Sequence, residues 1–340
     1  MRVYIPNVRW WSTSSRDTSI FRDTHFCTLA GISMVNTNKT GMLSSRLTKI
    51  SRDDSHSFEE FFQWDRYSWD DGDYYMPPEL LSIFGTPLFD QLSPIQIREL
   101  SRLEVIQILY LYAYTESVMC LYLARHLVKS DFGSDEHAFI LREQIEEYRH
   151  QDMFLRWLEI LGKDYKPMTR LARWWTWLEA MILPAKYFFL LQITIELISR
   201  EIGRLTFSDK RVNALVRDLS LMHEREEARH ISFSDSYLED IFRNSWFITR
   251  TLWGICIALD IAFINHFYIY PWMYKKAWIE NDAECYKVAQ KNIKNSPLKN
   301  MMTGSALEFL KKHSWITWAN AWIFQALTGI TKEKIYGKNT

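Results

Sequence analysis

The sequence predicts an all-α fold: a four-helix bundle extended by further C-terminal helices and preceded by an irregular N-terminal arm. Three observations carry this. Apolar residues make up 47% of the 340-residue chain, which holds only 11 glycines and 9 prolines, a composition suited to long helices. No segment gives a convincing strand signal. The motif Glu-Glu-x-Arg-His occurs twice, at Glu146-Glu147-Tyr148-Arg149-His150 and at Glu226-Glu227-Ala228-Arg229-His230. In the second copy His223, Glu227 and His230 are spaced i, i+4 and i+7, so they lie on one stripe of a helix.

Residues 1–75 are rich in Ser, Thr, Asp and Arg and lack a helical period, so they are read as an irregular arm over the bundle. Phe61, Phe62, Trp64, Tyr67 and Trp69 are its candidate anchors. Arg9, Arg16, Asp17 and Arg22 interrupt any apolar leader, so no signal peptide is predicted. Residues 76–340 are read as one helical domain, with the core bundle at about 94–241 and extra helices over 246–328.

Ser93-Pro94-Ile95-Gln96 is a helix start, with Ser as N-cap, Pro at the first helical position and Gln three residues on. The first bundle helix runs to about residue 128 and the second from about 134 to 161, followed by a loop over 162–167. A third helical region spans about 169–207 with a kink expected at Pro184, and a fourth spans about 209–241. The most apolar stretch is 246–274. Arg250, Asp260, Asn265 and His266 break it, so it is read as a buried or interface helix rather than a membrane span, with Pro271 expected to end it. Shorter helices are expected over 282–294, 303–312 and 315–328.

Two repeated motifs supply a Glu-x-x-His pair from each of two helices. That is half of a carboxylate-bridged two-metal site, and the other half is one Glu from each of two further helices. Glu116 stands alone in a run with no other charge between Glu104 and Arg125, and Glu196 lies in an equally apolar run. An ionised carboxylate in such a stretch needs a partner or a metal. Glu116 lies 15 residues before Asp131 and Glu147 lies 16 after it, so both return to about 23 Å from the turn between them. Glu196 and Glu227 match more loosely about Asp209. The candidate ligands are therefore Glu116, Glu147, His150, Glu196, His223, Glu227 and His230. Glu104, near Arg102, is the rival to Glu116. Glu143 holds the same place before Glu147 that His223 holds before Glu227, and is read as an outer or salt-bridge partner of the ligands. Glu146 and Glu226 are natural acceptors for imidazole N–H groups across the bundle, paired with Arg149 and Arg229. The competing reading leaves those four on a solvated face.

Other function classes are weakly supported. The 41 basic and 41 acidic residues cancel, which gives no electrostatic case for nucleic acid. The four cysteines, Cys27, Cys120, Cys256 and Cys285, have no metal-binding spacing and are read as free thiols of a reducing, cytoplasmic compartment. No Gly-rich dinucleotide motif is present.

The two Glu-Glu-x-Arg-His motifs resemble those of the ferritin-like di-iron carboxylate superfamily. His223-x-x-x-Glu227-x-x-His230, with its extra histidine, resembles the p-aminobenzoate (arylamine) N-oxygenase family, as does the segment from Gly85 to Glu104. The resemblance covers about residues 75–240. It implies a ferritin-like bundle, two iron ions held by the seven residues above, and O2 as co-substrate. It further implies a peroxo di-ferric intermediate that oxidises an amine towards hydroxylamine and nitro products. The alternatives are a di-iron C-hydroxylase or desaturase acting on an acyl or carrier-bound apolar substrate, and an iron-storage protein. Neighbours of the ligands such as Leu109, Tyr112, Phe189 and Gln192 suggest an apolar pocket, with Arg200 its one cation, paired with Glu196 or Glu201. The expected partners are a small or carrier-bound substrate, an external ferredoxin or reductase as electron donor, and a second copy in a homodimer.

Overall fold

A computed structural model describes residues 33–53, 62, 67, 74–295 and 304–328. Among these residues every extended element is helical apart from one isolated bridge between Tyr74 and Val212. The bundle consists of α2 (Pro94–Leu127), α3 (Asp135–Leu161), α5 (Ala185–Ser208) and α6 (Ala214–Tyr237), preceded by α1 (Ser33–Asp53) and with α4 (Arg170–Ile182) between its two hairpins. Beyond it follow α7 (Glu239–Asn244), α8 (Phe247–His266), α9 (Pro271–Lys276), α10 (Asp282–Asn295), α11 (Gly304–Lys312) and α12 (Ala321–Thr328).

Local chemistry sets the ends of the bundle helices. Ser93 and Gln96 form a reciprocal capping box at the start of α2, with Ser93 N–H donating to Gln96 Oε1 at 2.9 Å. Ser134 caps α3 by accepting from His137 N–H at 3.1 Å, and Asn213 caps α6 by accepting from Leu215 N–H at 3.0 Å. These side chains satisfy amide donors that have no partner within their own helix. The α5–α6 turn is pinned from outside, since Tyr74 N–H donates to Arg211 O and Asn213 N–H donates to Tyr74 O.

Helices α2 and α3 pack as one antiparallel hairpin and α5 and α6 as the other. Each bundle helix is apolar towards both ends and polar at its middle. One core gathers Leu103, Leu109, Phe154, Trp157, Leu219 and Met222. The other gathers Leu123, Phe139, Phe189, Ile193 and Phe233. The candidate ligands occupy the level between them, where the helix lengths place Glu116 and Glu147 opposite one another.

Several expectations change. Residues 33–53 belong to a helix rather than an irregular arm. Its inward face is Ser44, Leu47, Thr48 and Ser51, all buried, and such small polar residues give no hydrophobic period to read. Of the proposed anchors Phe62 is fully buried and Tyr67 donates to Asp218 Oδ2 at 2.7 Å, while Phe61, Trp64 and Trp69 lie outside the described residues. Pro184 ends the third helix instead of kinking it, acting as the N-cap of α5 after an extended Leu183. The apolar stretch stops at His266, and Pro271 starts α9 instead of ending α8. That stretch is not a buried helix either: Phe247–Lys276 is long and apolar enough to cross a membrane by length and composition, yet only 22% of its apolar window is buried.

One glycine in α8 fixes how the C-terminal helices dock. A Cβ at Gly254 would stand 2.2 Å from Trp315 O and 2.3 Å from Asn320 Nδ2. Neither neighbour can give way, because Asn320 Nδ2 itself donates to Trp315 O and Thr251 O. Gly254→Ala is expected to destabilise the protein by about 3 kcal/mol or more through overpacking. Differential scanning calorimetry checks it, and an unchanged transition would refute this docking.

Candidate metal centre

The bundle brings eight chemistry-bearing residues to one level, in two buried groups. Glu116, His150, His223 and Glu227 form one, and Glu143, Glu147, Glu196 and His230 the other. In each group the donor atoms lie within 4.8 Å of one another. All seven residues singled out in the sequence are present. The eighth, Glu143, was expected outside the ligand set. Its signal was its offset: Glu143-x-x-x-Glu147-x-x-His150 repeats the spacing of His223-x-x-x-Glu227-x-x-His230.

The groups are related by an approximate twofold exchange of hairpins. The first takes Glu116 from α2, His150 from α3 and the His223–Glu227 pair from α6. The second takes Glu196 from α5, His230 from α6 and the Glu143–Glu147 pair from α3. Two carboxylates straddle the groups. Glu147 places Oε1 3.2 Å from His230 Nδ1 and Oε2 3.6 Å from His150 Nδ1. Glu227 places Oε1 3.5 Å from His150 Nδ1 and Oε2 3.4 Å from His230 Nδ1. One oxygen towards each group is the placement of a bridging carboxylate, which the sequence left open.

The imidazoles are oriented from behind. His150 Nε2 donates to Glu226 Oε2 at 2.8 Å, and His230 Nε2 donates to Glu146 Oε2 at 2.9 Å. The acid of each motif thus holds the histidine of the other, across the bundle. Placing the proton on Nε2 leaves the Nδ1 lone pair facing the cluster. Arg149 pairs with Glu226, and Arg229 with Glu146 at 2.8 Å. Buried Ser51 of α1 donates to Glu146 and Arg142 donates to Ser51. Residue 51 carried no signal, since it lies in the segment read as irregular. Glu226→Gln is expected to weaken metal binding by about 10- to 100-fold with helix content intact, as measured by competition with a chromophoric chelator.

The electrostatics describe a site built for cations. Burial raises Glu116, Glu143 (to about 8) and Glu196, the last also through Glu227. Burial alone would lower His150 and His230, but the facing carboxylates push both well above the usual imidazole value. Burial would likewise raise Glu146, yet His230, Arg229 and Ser51 hold it down at about 2. Both oxygens of Glu147, Oε2 of Glu116, Glu196 and Glu227, and Nδ1 of His150 and His230 are buried without a hydrogen-bond partner. Orphaned acceptors of this kind are costly in a protein interior. Five carboxylates and three imidazoles would meet that cost by holding metal, and they fit a binuclear centre of oxygen-favouring divalent ions.

Two expected neighbours lie elsewhere. Glu104 is buried outside both groups, accepting from Ser82 N–H and, at 2.8 Å, from Tyr268 OH. Arg200 pairs with Glu224 at 3.5 Å and not with Glu196 or Glu201. A cavity of about 50 Å³ opens beside the first group. His223 and Tyr112 form its inner wall, with Leu109, Phe154, Ile202 and Leu219 beyond them. The Tyr112 ring stacks on His223 at 5.8 Å between centroids, and its buried hydroxyl has no hydrogen-bond partner. Among the described residues, no basic side chain other than His223 lines this cavity.

The protein-family description "P-aminobenzoate N-oxygenase AurF" matches residues 37–312. Among curated proteins, the uncharacterized protein Mb0909 of Mycobacterium bovis and the uncharacterized protein Rv0885 of Mycobacterium tuberculosis are each 30% identical over 109 residues. The match covers 31% of this chain and 32% of theirs, so it spans about a third of these relatives. No solved structure gives a significant match.

Proposed function

The chain belongs to the AurF p-aminobenzoate N-oxygenase family, and from that premise we propose that it is a non-haem di-iron oxygenase that oxygenates the nitrogen of an apolar amine. The observation that carries the reading is the pair of buried groups joined by Glu147 and Glu227. A bound pair of iron ions would supply O2 activation at this level of the bundle. Glu116, His150, His223 and Glu227 would hold one ion, and Glu143, Glu147, Glu196 and His230 the other.

The chain's own residues do the rest. Glu226 and Glu146 keep His150 and His230 in one tautomer and one ring orientation. The apolar ends of the bundle exclude water from the polar layer, which strengthens every electrostatic contact inside it. The cavity at His223 would open the first ion's position towards substrate, with Tyr112, Ser199, Thr206 and Ser220 as polar members of a largely apolar lining. The largely apolar lining favours an apolar substrate. The same lining favours one second reading, oxygenation or desaturation of a carbon in an acyl chain. The electron donor is a separate protein, and the active species is a homodimer in the cytoplasm.

The test is O2-dependent turnover of the iron-loaded protein, with ferredoxin and reductase, on neutral arylamines, alkylamines and fatty acyl chains in parallel. Hydroxylamine or nitro products support the proposal. Oxidised acyl products alone would move the assignment to carbon, and ferric oxide accumulating without product would sink both.

A further inference from the structure

Among the described residues, exposed large apolar side chains gather on α4, on α8 and around α12. On α4, Leu171, Trp174, Trp175, Trp177, Met181 and Ile182 are between 43% and 73% exposed. On α8, a stripe of Ile248, Leu252 and Leu259 faces outward at i, i+4 and i+11, next to exposed Trp246 and Phe247. Trp318 stacks on Phe247 at 5.6 Å and, with Trp322 of α12, extends the surface. Helix α8 packs on α5, where Tyr187 OH donates to Asp260 Oδ2 at 2.7 Å, and Asp260 also raises Glu179 of α4 electrostatically. Large exposed apolar patches on soluble proteins mark surfaces that meet a partner or a membrane.

The exposed charges on the surface's own helices are cationic, and the nearest acid at the cavity, Glu136, pairs with His126 at 3.2 Å. Glu179 and Asp260 are the only acids of α4, α8 and α12, and both are half-buried, with burial raising them to about 8 and about 6. The exposed charges of α4 and the start of α5 are Arg170, Arg173 and Lys186. Where α4 ends against α5, a cavity of about 310 Å³ opens between Met181 and Ile182 on one side and Arg125, His126 and Lys129 on the other. An apolar face rich in tryptophan, edged by cations and flanked by a cationic cavity, has the chemistry of a surface that sits in a lipid interface.

We propose that the α4–α8–α12 face docks the protein on the surface of an anionic bilayer, with the cavity at Arg125, His126 and Lys129 receiving a phosphate headgroup. The protein lies on the membrane and does not span it. Gly254, Ile257, Ala258 and Ile261 hold the other face of α8 in the protein core, so lipid cannot surround that helix. A twofold pairing of two copies through this face would set its cations against their own counterparts. An anionic leaflet meets both its apolar and its charged parts.

The full-length, metal-loaded protein is to be mixed with vesicles of phosphatidylcholine alone and of phosphatidylcholine with about 25 mol% phosphatidylglycerol, and bound protein measured by flotation. Binding to the anionic vesicles should be about tenfold tighter or more, fall with added salt, and shift tryptophan emission to the blue. Trp175→Glu and Ile182→Glu should each weaken binding to both vesicles by about tenfold. Lys129→Glu should reduce the preference for anionic lipid and leave binding to neutral vesicles unchanged. Trp278→Glu, at an exposed tryptophan outside this face, should change nothing, and circular dichroism controls for folding. No partition into either vesicle, or equal loss with Trp278→Glu, would overturn the proposal. So would a Trp175→Glu variant that turns a dimer into a monomer and still floats with lipid.

Discussion

Glu147→Ala is expected to empty both metal positions, lowering bound iron from about two ions per chain to below one and turnover by roughly a thousandfold. Glu147 offers one oxygen to each group and has no other hydrogen-bond partner. Its loss therefore reaches His150 and His230 together. His223→Ala touches only the first group, so it should lower occupancy there and leave about one ion in place. Metal analysis by mass spectrometry, with both variants loaded anaerobically, separates the two outcomes. The metal-free proteins should rank the other way. Glu147 is fully buried among four other carboxylates, and removing one such charge relieves repulsion that only protons balance. Metal-free Glu147→Ala should thus melt above metal-free wild type. Equal iron content in wild type and Glu147→Ala would refute the bridging role.

Stripping the metal should lower stability by roughly 4 kcal/mol when free metal had stood about a thousandfold above its dissociation constant. It should also introduce a pH dependence that the loaded protein lacks. Burial alone would lower His223, but Glu227 and Glu116 raise it from 6.5 to about 9. A cationic group raised on folding contributes fully below its unfolded value and loses that contribution as pH rises through the folded value. The metal-free protein should therefore weaken between about pH 6.5 and 9. Metal must displace the same imidazolium protons, so log affinity should climb with pH at a slope of about two to three over that window. Calorimetric melts with and without chelator, and metal titrations at several pH values, check both. A flat affinity profile would mean the imidazoles carry no protons to displace.

Much of the centre was legible because its rule is periodic. Positions four and seven residues apart share a helix stripe, and a lone acid in an apolar run has few reasons to be there. Helix lengths measured from the turns placed Glu116 beside Glu147 before any coordinates. Glu143 was undervalued for a chemical reason: a glutamate before a ligand reads as a salt-bridge partner, while a histidine in the same slot reads as a donor. Spacing treats the two alike, and in the fold spacing decided. Helix α1 was missed because its inward face is serine and threonine packed on Glu146 and its neighbours, with no apolar rhythm. The surroundings of α8 were misjudged because hydropathy reports what a helix is made of, not what lies against it.

The crossed pairing of Glu146 with His230 and of Glu226 with His150 bears on how the protein is made. Neither hairpin holds a complete set of donors. A nascent chain that has produced only α2 and α3 has Glu116, Glu143, Glu147 and His150, but not the acid that turns the His150 ring. Residues 223–230 are the last of the set to emerge, and with them come three donors, His223, Glu227 and His230, and the partner of His150 at once. Metal acquisition is therefore expected to follow the docking of the second hairpin on the first, and a ribosome-bound fragment ending before residue 223, with five of the eight donors, is expected to load poorly.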